Sequence, residues 1–169
     1  LSKIVNVVAV AFENMDRFFP KNKIILAGNP VREALLNVEN KKSEAFSHFK
    51  LNPSKKTIVI LGGSLGAKKI NETIATHLLL FSKLGIQLIW QCGKLYFDQF
   101  KKHNEQENVQ VYEFIKEMDL IYAAADAFIS RAGASSISEL ALVGKPVLLI
   151  PSPNVAENHQ YHNALALSK

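Results

Sequence analysis

Two stretches of small residues interrupt the apolar pattern of the chain: GGSLGA at residues 62–67 and SRAGASS at residues 130–136. Each follows an apolar run and opens a helical pattern. Glycine permits a tight turn with positive φ and lets a ligand approach the backbone. The first-turn N–H groups of the helix that follows, with the positive end of its dipole, favour an anion such as phosphate. In the first stretch Ser64 could instead cap the helix. GGSLGA lacks the spacing of a dinucleotide fingerprint and the Gly-Lys-Ser/Thr of a Walker motif, which argues against dinucleotide binding and ATP hydrolysis.

Four further groups carry polar chemistry. Ser136 and Glu139 stand at capping-box spacing, and on spacing alone the serine caps while the glutamate reaches back to the cap N–H; the alternative is a carboxylate accepting from two adjacent sugar hydroxyls. Glu113-Phe114-Ile115 could read a nucleobase edge through its backbone, although taken alone it reads as core. In Asn29-Pro30-Val31-Arg32, Pro30 can start a helix, and Arg32 could hold a diphosphate or pair with Glu33 or Glu39. Glu157-Asn158-His159-Gln160 suits sugar hydroxyls, or is a polar helix start. The five histidines lack zinc-ligand spacing, Cys92 is the single cysteine, and no Asp-x-Asp pair is present, so no metal site is expected.

These groups need a frame to bring them together. Apolar, β-rich runs fall at Ile4–Ala11, Lys23–Ala27, Thr57–Leu61, Gln87–Gln91, Val109–Tyr112, Ala127–Ile129 and Val147–Ile150. TIVIL is apolar along its length, as befits a strand covered on both faces of a parallel sheet. Helical patterns intervene: Ile70, Ile74 and Leu78 give one face of a helix from about Ala67 to Phe81. Shorter helices are expected at Asp119–Ala125 and Ile137–Val143, the latter stopped by Gly144, and a short helix and loop at SEAFSHFKLNPSKK. Strand–helix alternation predicts an α/β, Rossmann-like, doubly wound parallel sheet, in which ligands bind beyond the carboxyl ends of the strands.

The totals fit one sizeable globular domain: 169 residues, 48% hydrophobic and 21% charged. The net charge is +5, yet the lysines fall as scattered pairs rather than one stripe among aromatics, which argues against a nucleic-acid partner. A single cysteine and no long apolar run point to a soluble domain of a reducing compartment. The opening LSKIVNVVAVAFENMD reads as no secretory leader. A start at Leu1 and a stop at Lys169, inside a helical pattern, read as a piece of something longer.

Taken in order, GNPVR, GGSLGA, EFI with Met118 three residues on, SRAGA-x-x-x-SEL, GKP-x-x-x-x-P and NHQ-x-x-NA closely resemble the donor-binding domain of the MurG family. These are the UDP-N-acetylglucosamine:undecaprenyl-pyrophosphoryl-MurNAc-pentapeptide N-acetylglucosaminyltransferases of peptidoglycan synthesis. The resemblance runs from about Ala27 to Ala166 and implies a GT-B enzyme, two Rossmann-like domains flanking a catalytic cleft. Residues 1–22 would be an interdomain segment and the end of a missing N-terminal domain; residues 23–169 would be the C-terminal UDP-GlcNAc-binding domain, truncated at its far end.

By that resemblance the backbone of Ile115 reads the uracil, with Phe114 and Met118 nearby, and Glu139 accepts from the ribose. Arg32, Ser64 and Ser136 hold the diphosphate; Ala134, His159 and Gln160 face the GlcNAc. Where the family often carries glutamine this chain has Leu65. The implied reaction is inverting transfer of GlcNAc to the 4-hydroxyl of lipid-linked MurNAc-pentapeptide, converting lipid I to lipid II, with no metal or organic cofactor. The resemblance puts no catalytic residue in this chain: the base and the lipid I contacts belong to the missing half, and the parent protein sits at the inner face of the cytoplasmic membrane. This chain alone would not turn over. Alternatives are the donor domain of another GT-B enzyme, such as a diacylglycerol glycosyltransferase, or a non-catalytic nucleotide-sugar-binding subunit.

Overall fold

The computed structural model describes residues 4–11, 15–155 and 158–168. The chain divides into two compact units, Leu1–Val31 and Arg32–Lys169. In the first, β1 (Val8–Val10) pairs in parallel with β2 (Ile24–Leu26), and the Ala27 N–H extends the ladder to the Val10 carbonyl at 2.9 Å. The expected strand over Ile4–Ala11 is thus three residues long, because its one partner is no longer than that. The run at Lys23–Ala27 forms β2 but joins β1 and not the large sheet, so the compact division falls after Val31 rather than at residue 23.

The second unit opens with a 3-10 stretch, Glu33–Lys41, kinked at Asn37, followed by α1 (Lys42–His48). Pro30 therefore does not begin a helix; Arg32, with extended backbone, precedes the first turn. Strand β3 (Lys56–Leu61), helix α2 (Lys68–Lys83) and strand β4 (Ile86–Gln91) form the first βαβ unit. A short α3 (Phe97–Phe100) and a 3-10 turn then lead to β5 (Val109–Tyr112). The remainder alternates as α4 (Met118–Ala124), β6 (Ala127–Ser130), α5 (Ala134–Val143), β7 (Val147–Leu149) and α6 (His159–Leu167).

All five strands of the unit are parallel, in the order β5-β4-β3-β6-β7. The fold is the expected doubly wound α/β, Rossmann-like sheet. Alternate residues of β3 and β4 face two separate cores. Val59, Leu61 and Ile89 meet Ile121, Tyr122, Phe128 and Leu140 on one face, while Ile60, Leu88 and Trp90 meet Ile70, Ile74 and Leu78 of α2 on the other. The continuous apolar run of β3 follows from this double burial. Helix α3 carried no periodic signal; it is held because Phe100 packs on Trp90, ring centroids 5.1 Å apart.

Chain order reverses between β3 and β6. From β3 the chain steps outward to β4 and β5, then returns to the other side of β3 as β6. At such a switch point the helices leave on opposite faces and a crevice opens beyond the strand ends. GGSLGA follows β3 and SRAGASS follows β6, so both lie at this crevice.

Candidate functional site

A cavity of about 450 Å³ occupies the switch point, within the usual range for small-ligand sites. Residues 62–66 form one wall, and Ser130, Arg131, Gly133, Ser135 and Ser136 another.

The first turn is locked by backbone geometry. The Gly62 N–H donates to the Gln91 carbonyl at 3.2 Å, and the Lys94 N–H to the Ser64 carbonyl at 3.0 Å. Gly66 has φ +91°, and a Cβ there would stand 2.2 Å from the Cys92 carbonyl oxygen. Gly63, at φ +85°, has open space where its side chain would be. The two glycines thus answer different demands: Gly66 allows two chain segments to cross, and Gly63 leaves cavity volume free. Behind the turn, buried Asn71 donates to the Cys92 carbonyl at 2.8 Å and accepts from the Trp90 indole N–H at 3.0 Å, tying α2 to β4. Ser64 does not cap α2. The cap position is Ala67, with no side-chain hydrogen bond, and Ser64 lines the cavity instead.

The second turn departs from the expected capping box. Helix α5 starts at Ala134, three residues earlier than the apolar periodicity suggested, and Gly133 holds the cap position with no side chain to offer. Ser136 therefore lies inside the first turn and cannot cap it, and Glu139 does not reach back to a cap N–H. The N-terminus of this ten-residue helix carries no side-chain cap and lies at the cavity wall formed by Gly133, Ser135 and Ser136.

Glu139 has other partners. Its carboxylate, 7% exposed, accepts from Arg32 Nη1 at 2.7 and 2.8 Å and from the Tyr122 hydroxyl at 2.9 Å. Arg32 pairs with neither Glu33 nor Glu39, its expected surface partners. One nitrogen of its half-exposed guanidinium is committed to Glu139. Burial, and then the Glu139 charge, hold the Tyr122 phenol far above its ordinary pKa, so it is a permanent donor.

Of the residues expected at a site, Arg32, Ser64, Phe114, Met118, Ser136, Glu139 and Gln160 are brought together on this cavity. Ile115 is not: its side chain is buried in the core, and its N–H donates to Gln91 Oε1 at 3.0 Å. Phe114, by contrast, is 54% exposed. Ala134 and His159 begin α5 and α6 but do not line the cavity. Gln160 accepts from the Ser152 N–H at 2.9 Å and so braces the segment between β7 and α6. Glu157 lies outside the described residues.

Sequence reasoning missed three residues. Gln91 ends β4 and lines the cavity; its place at a strand end was the available signal. Arg131 donates to the carbonyls of Ile150 and Pro151 at 3.1 and 2.9 Å, fastening the end of β7 to that of β6. Burial lowers its pKa. Tyr122 had no sequence signal beyond its place in a helix.

The profile of the glycosyltransferase family 28 C-terminal domain matches residues 57–169. A relative from Flavobacterium psychrophilum, named UDP-N-acetylglucosamine--N-acetylmuramyl-(pentapeptide) pyrophosphoryl-undecaprenol N-acetylglucosamine transferase, is 59% identical over 167 residues, covering 99% of this chain and 46% of its own. A protein of the same name from Christiangramia forsetii is 53% identical over 169 residues, covering 100% and 46%. The crystal structure of Acinetobacter baumannii MurG superposes with a TM-score of 0.64 at 28% identity, over 97% of this chain and 44% of that one. The chain spans less than half the length of the curated relatives it matches.

Proposed function

Because this chain belongs to the glycosyltransferase family 28 C-terminal domain family, we propose that it is the donor-binding half of an enzyme that transfers GlcNAc from UDP-GlcNAc to lipid-linked MurNAc-pentapeptide. The observation that carries the reading is the joining of two glycine-containing turns, the N-terminus of α5 without a side-chain cap and the Arg32–Glu139 pair around one cavity. In this reading residues before Arg32 belong to the connection with an N-terminal half.

The diphosphate sits against the first turns of α2 and α5, and negative charge building on departing UDP is met by their N–H groups. Donors fixed in place before charge develops cost no reorganisation at the moment of reaction, and that is where electrostatic catalysis gains most. Glu139 accepts from the ribose hydroxyls. For this its oxygens must be released by Arg32, whose guanidinium then turns to the diphosphate. Ser64 and Ser136 add hydroxyls there, and Gln160 faces the sugar, which extends past the cavity wall toward Ala134 and His159 at the starts of α5 and α6. Phe114 and Met118 supply apolar surface for the base. The reading assigns no metal or organic cofactor to this chain, and gives the general base, the acceptor and contact with the cytoplasmic membrane surface to the other half. Among the described residues no helix is long and apolar enough to cross a membrane.

Titration calorimetry of the chain with UDP-GlcNAc, UDP and ADP tests this, with Glu139→Ala beside it. Uptake of both uridine ligands but not ADP, weakened about tenfold or more in the variant, is the expected result. A folded chain that binds none of them, or binds ADP as well as UDP, overturns the reading.

A further inference from the structure

We propose that Asn104 closes one edge of the sheet, and that opening this edge lets a second copy of the chain add its own β5 there. The closure lies away from the cavity and holds whatever the cavity binds.

Strand β5 stands first in the order β5-β4-β3-β6-β7, so only one of its sides is paired to a strand. The ladder fixes which backbone groups face outward. The carbonyls of Asn108 and Tyr112 accept from the N–H groups of Leu88 and Cys92 at 2.8 and 3.0 Å, and so face β4. Alternate residues of a strand turn their backbone groups to the same side, which leaves those of Val109 and Val111 pointing away from the sheet. Such a row is a template for another chain. The sequence VQVY is uncharged and β-prone, which makes the template a good one.

Three of these four outward groups are met within the chain. The Val109 N–H donates to the Gln106 carbonyl at 3.3 Å. The Val111 N–H donates to Asn104 Oδ1 at 2.6 Å, and Asn104 Nδ2 donates to the Val111 carbonyl at 3.3 Å. A carboxamide carries the same donor and acceptor as a peptide group, so Asn104 stands where the backbone of an added strand would. Its orientation is fixed, because the Val111 N–H can only donate and the Val111 carbonyl can only accept. The 3-10 turn Lys101–Glu105 that carries it is anchored to the core. The rings of Phe100 and His103 lie 5.1 and 6.0 Å from that of Trp90, and the Gln106 N–H donates to the His103 carbonyl at 3.1 Å. Asn104 itself is exposed. A side chain that water could satisfy is held on the strand edge instead.

The test pairs amide hydrogen exchange by NMR with sedimentation over a concentration series, for the wild type, Asn104→Ala and Asn104→Lys. In the wild type the Val111 amide, although it faces outward, is expected to be protected like the amides of β5 that face β4. Asn104→Ala should speed its exchange about tenfold, the change that one net hydrogen bond represents. It should also self-associate at least about tenfold more tightly than the wild type, with protection returning at Val109 and Val111 as concentration rises. Asn104→Lys frees the same amide but sets a charge beside the edge, a guard that natural edge strands use; it should show the fast exchange without the association. An Asn104→Ala chain whose exchange is unchanged, or that exchanges quickly yet stays as monomeric as the wild type, overturns the proposal. So does equal association of the two variants, which places the contact elsewhere. A wild type whose Val111 amide exchanges as freely as a loop amide overturns it too, an arm that stands even if neither variant folds.

Discussion

Removing the Tyr122 hydroxyl isolates one of the interactions that hold Glu139. Tyr122 is fully buried, its ring 5.4 Å from that of Phe128, and its hydroxyl donates to Glu139 Oε2 at 2.9 Å. Tyr122→Phe takes away one oxygen and leaves the ring packing intact, so the change reads the hydrogen bond and little else. A hydrogen bond to a charged group contributes about 1.5–3 kcal/mol. Arg32 still holds both carboxylate oxygens in the variant, which places the expected loss at the lower end, about 1.5–2 kcal/mol. In a domain of this size each kcal/mol moves the melting temperature by about 2–4 °C, so a fall of about 3–8 °C is expected.

The decisive version is a double-mutant cycle with Glu139→Ala, followed by urea and thermal unfolding. In the Glu139→Ala background the Tyr122 hydroxyl is buried without its acceptor, and deleting it should be neutral or stabilising. The coupling between the two sites should then be about 1.5 kcal/mol or more. A Tyr122→Phe cost that is the same in both backgrounds, or absent in the wild type, would show that the hydroxyl does not hold the carboxylate.

Two further outcomes follow from the same geometry. Gly66→Ala should cost on the order of 3 kcal/mol, because backbone strain adds to a clash with the Cys92 carbonyl, whereas Gly63→Ala, with open space at its Cβ, should cost only about 1–2 kcal/mol; equal urea midpoints for the two variants would refute the distinction. Asp119 is held below its ordinary pKa, chiefly by its hydrogen bond from Lys41. A depressed carboxyl pKa stabilises the fold fully above the unfolded value and loses that contribution as pH falls through the folded one. The stability difference between the wild type and Lys41→Met should therefore be constant near neutrality and shrink below about pH 4, and a gap that persists at pH 2 would contradict this.

What the sequence revealed, and what it hid, follows the range of the interactions. Of the five parallel strands, β3 was legible because burial on both faces makes it a nearly continuous apolar run, and the others because short β-rich runs alternate with helical patterns; the two small-residue turns were legible because glycines and small residues suit a sharp strand-to-helix turn. Gly144 ended α5 as expected, with φ +66°. The serines misled. Ser64 and Ser136 stand near helix starts, but an intended cap and a bare cap differ by a shift of two or three residues, which composition does not fix. Arg32 and Glu139 are 107 residues apart, and only the sheet topology brings them together. Tyr122 and Gln91 were hidden for a related reason: each is a buried polar residue whose partner lies on another element.

The same topology explains why the polar residues collect where they do. A doubly wound sheet must send α2 and α5 to opposite faces where its order reverses, and their N-termini are left flanking one gap. Filling that gap with side chains would bury first-turn N–H groups without acceptors, each at a cost of about 1–3 kcal/mol. A fold with no ligand would close it by capping each helix with a serine, threonine or aspartate. Here both cap positions are residues that cannot cap, Ala67 and Gly133, although serines stand within three residues of each. Neither helix start carries a side-chain cap, while Arg131, Asn71 and the crossing at Gly66 fix the sides of the cavity with hydrogen bonds and close backbone contacts. Stability is thus supplied around the gap by these contacts, an arrangement that suits the diphosphate proposed to sit there.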